Sequence, residues 1–179
     1  GSTGNAGNLN INTPQLSLLQ ASILRTTTFG SGNAGNMTLK VNNLTVRDSS
    51  QISTGTFADG NGGDLNVIAA DSVEISGFDN VNFSSGLFSA AEAGSTGNAG
   101  NLSITTSQLN LTDKSRISVI TSGSGNAGNI TLKVDNLAIR DGSQIATGTF
   151  ADGNAGDVNL IATDSVDIAG FDNENNFSS

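Results

Sequence analysis

The residues of this chain best suited to chemistry are its acids and hydroxyls, because it contains neither His nor Cys. Without imidazole or thiol it lacks the usual general base and the commonest metal ligand, and it can form no disulfide. Carboxylates cluster in two places: Asp59 and Asp64 within Asp-Gly-Asn-Gly-Gly-Asp, and Asp152 and Asp157 within Asp-Gly-Asn-Ala-Gly-Asp. Acids spaced by glycines are what an oxygen-ligated Ca2+ loop requires. Arg47-Asp48 and Arg140-Asp141 set a cation beside an acid, as catalytic clefts do. Thr-x-Thr occurs at Thr26 and Thr28, Thr54 and Thr56, and Thr147 and Thr149, with Val119 and Thr121 in the equivalent place of a fourth stretch.

Each of these has a plainer structural account. The calcium-binding nonapeptide of toxin β-rolls wants an aliphatic two residues after its last Asp; here Asn66 and Asn159 stand there, and no second nonapeptide follows in tandem. Corner acids are therefore expected, with no metal and no other cofactor. The two Arg-Asp pairs lie 93 residues apart at equivalent points of a duplication, where charges usually face solvent. Pectin lyases and related glycosidases gather Asp, Arg or Lys from several coils at one place. No such cluster is legible here, so no catalytic residue is expected. Regular Thr-x-Thr on a flat outer face is an ice-binding device, but these Thr share parity with Leu24, Ile52, Ile117 and Ile145 and should point inward.

The elements that position these groups follow one stretch, Gly-Asn-Ala-Gly-Asn. It begins at Gly4 and returns at Gly32, Gly97 and Gly125, with variants at Gly60 and Gly153. The steps are 28, 28, 37, 28 and 28 residues, and each motif leads into period-two alternation such as Met37-Thr38-Leu39 or Ile130-Thr131-Leu132. A turn signal followed by alternation at fixed spacing predicts stacked β coils. Within Gly32 to Asp59, three short strands are predicted: Met37, Leu39 and Val41; Leu44 and Val46 after an Asn42-Asn43 turn; and Ile52, Thr54 and Thr56 after Arg47-Asp48-Ser49-Ser50. No two-residue Asn-Gly turn separates them, so pairing with the equivalent strand of the next coil, in parallel, is expected. The fold class is all-β, a parallel β-helix of about six coils spaced about 4.8 Å apart.

A longer period of 93 residues divides this single solenoid into residues 1–93 and 94–179, three coils each, the second truncated. The third and sixth coils carry an extra residue at Val67-Ile68-Ala69 and Leu160-Ile161-Ala162. Gly77-Phe78-Asp79-Asn80 then replaces the charged turn, and a protruding loop or distorted third strand is expected near 77–93. One continuous core should include Leu39, Val41, Leu44, Val46 and Ile52, with Leu132, Val134, Leu137, Ile139 and Ile145 from the second repeat. Asn5, Asn33, Asn61, Asn98, Asn126 and Asn154 form one column, expected to be a ladder of stacked side-chain amides. The corner glycines Gly4, Gly32, Gly60, Gly97, Gly125 and Gly153 should allow positive φ and relieve a Cβ clash.

Composition narrows the function classes. The chain of 179 residues has 23 Gly, one Pro, no Trp or Tyr, and a net charge of −9 with only seven Lys and Arg. Nothing in that balance attracts nucleic acid or an anionic membrane, and no apolar run is long enough to insert in a bilayer as a helix. No charged-then-apolar leader opens the chain. Gly1-Ser2-Thr3-Gly4 recurs as Gly94-Ser95-Thr96-Gly97, so it is read as native repeat sequence from something longer.

The line Gly-Asn-Ala-Gly-Asn-Leu-x-Ile, followed by Leu-x-Leu-x-Asp-x-Ser-x-Ile-x-Thr, is carried best by Leu102 to Ser118 and Ile130 to Thr147. It resembles the repeats of filamentous-haemagglutinin-type exoproteins, especially the large cyanobacterial ones. The resemblance implies a right-handed parallel β-helix, outer-membrane export by a two-partner route, and life as an extracellular or cell-surface fibre. The family's secretion domain has no counterpart here, and its repeats, acting as a shaft, carry over no functional residue. The expected function is a structural, adhesive rod, with a carbohydrate-active β-helix enzyme as the alternative and an ice-binding solenoid behind it. Expected partners are further copies of itself, head to tail or in one covalent array, and a cell-surface or matrix polysaccharide. The array expectation comes from the chain starting on a repeat boundary and stopping inside another, without a charged or helical cap.

Overall fold

The structure is a computed structural model that describes residues 3–77 and 83–170. Strands alternate with corners, and every strand pair is parallel. In the first coil the strands are β1 (Leu9–Asn12), β2 (Gln15–Leu18) and β3 (Ile23–Thr28). The second has β4 (Met37–Arg47) and β5 (Gln51–Thr56), and the third β6 (Leu65–Ser76) and β7 (Gly86–Ala91). β8 (Leu102–Thr112) and β9 (Arg116–Thr121) make the fourth, β10 (Ile130–Ile139) and β11 (Gln144–Thr149) the fifth, and β12 (Val158–Ile168) belongs to the sixth. The chain is an all-β parallel solenoid, as its periodicity predicts.

Two sheets enclose the core. The large one runs β1-β4-β6-β8-β10-β12, with β2 also on β4, and the small one runs β3-β5-β7-β9-β11. The first two strands predicted for each coil are separate only in the first, where Thr13-Pro14 divides β1 from β2. Elsewhere they are one strand with a bend. At Asn42-Asn43 two successive side chains face outward between buried Val41 and Leu44. The parity slips by one, so both halves of β4 keep their apolar side on the core. The extra residue of the third coil enlarges the same bend, as a bulge between the pairs Val41↔Ala69 and Asn43↔Ser72.

The registers also locate the rest of the third coil's excess. Pairs Arg47↔Ser76 and Gln51↔Gly86 leave six extra residues between β6 and β7, and two more fall in the corner after β7. The distorted third strand foreseen near 77–93 is absent: β7 pairs with β5 and β9 without a register shift. Phe78–Asn80 of the expected turn, and residues 171–179, lie outside the described residues.

Corners between the sheets use an unexpected device. Asp48 and Ser49, Asp113 and Lys114, and Asp141 and Gly142 are consecutive residues at positive φ, as are Gln20 and Ala21. Ser50, Ser115 and Ser143 donate their N–H to the carbonyls of Arg47, Thr112 and Arg140, which closes four-residue turns. Positive φ at both central residues is the pattern of a type I′ turn. Such turns usually fold hairpins, but here the strands on either side enter different sheets and find their partners one coil away.

The core is a set of stacked apolar rows, for example Leu39, Val67, Ile104 and Leu132, or Leu44, Val73, Leu109 and Leu137, all buried. Full burial of each such side chain stabilises by about 1.5–3 kcal/mol. Nine of the ten core positions expected from sequence are buried; Ile145 is half-buried because β11 is the outermost strand of its sheet.

Candidate functional site

The Gly-Asn corner closes each coil on its third side and carries two hydrogen-bond ladders. In the first, the Asn5 Oδ1 accepts the Asn33 N–H at 2.8 Å, and the same bond links Asn33 to Asn61, Asn61 to Asn98, Asn98 to Asn126 and Asn126 to Asn154. These are not amide-to-amide contacts, as the sequence suggested. The coil spacing puts each side-chain oxygen opposite the next coil's backbone N–H, and the Asn carbonyl in turn accepts the N–H one residue along in the coil before (Ala6 to Asn33, Ala34 to Asn61, Ala99 to Asn126).

The last motif position makes a second ladder that sequence reasoning missed. Asn8, Asn36, Asp64, Asn101 and Asn129 each accept the N–H of the equivalent residue one coil on, ending at Asp157. Strict recurrence of Asn or Asp at the fifth motif position was the signal for it. Asp replaces Asn there because only an Oδ1 acceptor is needed. Asp64 thus spends its carboxylate on the Asn101 N–H (2.8 Å) and Nδ2 (3.2 Å), and Asp59 accepts from the Thr96 hydroxyl. Among the described residues no three acidic side chains converge as a metal site would need.

Glycine is required at the corner by approach rather than by backbone twist. None of Gly32, Gly60, Gly97, Gly125 or Gly153 has positive φ, contrary to expectation; a Cβ on any of them would be driven into the carbonyl of the corner glycine one coil before. Gly4 belongs to the same column, with open space around it. A second column, Gly35, Gly63, Gly100, Gly128 and Gly156, is equally tight against its predecessors.

The threonines face inward, as their parity predicts, and all but Thr54, whose buried hydroxyl finds no hydrogen-bond partner, serve this corner. The Thr26 hydroxyl donates to the Gly35 carbonyl at 2.7 Å and Thr147 to Gly156 at 2.5 Å, so they satisfy carbonyls of the corner from inside the coil. Thr28, Thr56 and Thr149 accept the N–H two residues on and finish the strand. Arg47 and Arg140 reach one coil on, to Glu74 (2.7 Å) and to Asp167, as half-exposed ion pairs. Asp48 and Asp141 supply positive φ at their turns and gather with neither arginine as an acid-base pair.

No family model matches the chain. No curated protein or solved structure resembles it significantly either.

Proposed function

We propose that the chain is a segment of a rigid extracellular β-solenoid fibre, a structural and adhesive rod from a longer surface or secreted filament, and not an enzyme. The observation that carries this reading is the uniformity of the stack. Both corner ladders pass from one 93-residue repeat into the next, and Leu65, Val67, Val73 and Ile75 in the last coil of the first repeat are wholly buried against the opening coil of the second. Further repeats joined in that way would lengthen the rod in the same register. Joining can be covalent, in one array, or end to end between copies. The resemblance to haemagglutinin-type repeats supports export to the cell surface.

Fibre diffraction of the assembled material tests the rod, and antibody labelling of intact source cells tests its place. A meridional spacing of about 4.8 Å is expected, together with surface labelling. Compact monomers at every concentration, or antigen reached only after lysis, would sink the reading.

A further inference from the structure

The phenylalanines are distributed in a way the rod does not require. The five described ones, Phe29, Phe57, Phe83, Phe88 and Phe150, all lie outside the core, which is built from aliphatic side chains. Phe29, Phe57, Phe83 and Phe150 are exposed by 68%, 43%, 60% and 79%. Exposed aromatic rings gathered at one place are the mark of a binding face. Four of the five belong to one place, the outer side of the small sheet and the corner that follows it.

A groove of about 460 Å³ lies there. Its floor is made of small outward residues, among them Ser53, Gly55, Ala90 and Ser118, with the Phe88 ring lying across Gly86. Phe57, Glu92, Ser122 and Phe150 stand along one wall, and Phe57 is stacked on Phe29 with ring centroids 4.7 Å apart. Gln51 and Arg116 stand along the other, and Arg25 rises from the row of Ser53, Phe88 and Ser118 at the first-coil end. The lining comes from five successive coils, through β3, β5, β7, β9 and Phe150 in the corner after β11, so the groove runs along the solenoid axis for about 19 Å at the usual strand spacing.

Charge separates this groove from the rest of the molecule. The protein carries −9 overall, yet two guanidiniums face the groove against the single carboxylate of Glu92. Arg116 is oriented by donating to Gln144 Oε1 at 2.8 Å, and Arg25 is exposed, outside both ion pairs found among the described residues. A guanidinium matches a carboxylate in two parallel hydrogen bonds. The strand edges within the groove are already paired, so a ligand meets side chains only. A pyranose unit advances a linear chain by about the rise of one coil, about 4.8 Å, and its apolar C–H face suits an aromatic ring.

We propose that this groove binds a linear acidic polysaccharide, laid along the axis with sugar faces on Phe57 and Phe150 and carboxylates on Arg25 and Arg116. The proposal gives the adhesive side of the rod a ligand, and it rests on that reading only there.

Titration calorimetry of the whole chain with an oligogalacturonate long enough to span the small sheet tests it, with a neutral cello-oligosaccharide as comparator. Binding to the acidic chain is expected, weakening as salt rises. It should fall at least about ten-fold, 1.4 kcal/mol, in Phe57→Ala/Phe150→Ala and again in Arg25→Gln/Arg116→Gln, all exposed positions whose loss leaves the core intact. Lys40→Gln/Lys133→Gln, on the large sheet, should bind as the parent does. No binding of the oligogalacturonate, equal binding of the neutral chain, or equal loss in the lysine variant would overturn the proposal. So would concentration-dependent self-association abolished by Phe57→Ala, which would assign the face to a second copy. Fibres that keep the coil spacing without binding the polysaccharide would refute the groove and leave the rod standing.

Discussion

At the corner, a single side-chain oxygen decides whether the next coil's N–H has a partner. Asn98→Ala removes the acceptor of Asn126 N–H and is expected to cost about 1 kcal/mol. Asn98→Asp should cost much less, because Asp64 already performs that task in the neighbouring ladder. Denaturant unfolding of the two variants compares them directly, and equal losses would show that the amide nitrogen, not the oxygen, matters. Glycine acts at the same scale through space alone. Gly125→Ala would press a methyl group into the Gly97 carbonyl, at a cost on the order of 3 kcal/mol, while Gly4→Ala, with open space around it, should be neutral. The sequence made both columns visible by recurrence. It did not reveal their mechanism, since recurrence is the same whether a glycine serves φ or close packing.

The strands were legible because their inward residues keep strict parity; the joints between them were less so. Asn42-Asn43 reads as a turn, since two polar residues interrupt the alternation, but parallel pairing on both sides holds the chain extended through the bend. The excess near 77–93 hid an ordinary strand for a related reason: Leu87, Ser89 and Ala91 stand where the second coil has Ile52, Thr54 and Thr56, and only the pairing with β5 and β9 reveals their register. Most of the I′ corners were hidden because Gln20-Ala21, Asp48-Ser49 and Asp113-Lys114 carry none of the glycine such turns favour; only Asp141-Gly142 has the usual pair. That mismatch gives a prediction of unusual sign. Ala21 is exposed at φ 57°, so Ala21→Gly should stabilise by about 0.5–1 kcal/mol, where the same change in a strand would destabilise. A lower melting temperature for that variant would contradict the corner geometry. Deep in the element, Leu109→Ala leaves a hole between rows that cannot close, at about 2–5 kcal/mol.

For the molecule as a whole, stability resides in contacts between neighbouring coils. Thermal melts with and without excess chelator should coincide; a large drop on calcium removal would mean that Asp59 and Asp64 hold a cation. The groove was beyond reading from the sequence, because Arg25 and Arg116 occupy different strand positions and do not repeat at 93 residues. Only the stacking of β3, β5, β7 and β9 sets them along one face. The same stacking points nearly every backbone hydrogen bond along the axis, and this has a mechanical consequence. Tension along the solenoid axis pulls straight against those bonds, and the chain can yield only by peeling off coils in turn. A coil that contributes about 4.8 Å of length while folded pays out about 95 Å of slack when its 28 residues come free. Pulled from its ends, the solenoid should behave as a serial shock absorber: a sawtooth of force with teeth of that length, and a longer one of about 125 Å wherever a 37-residue coil lets go.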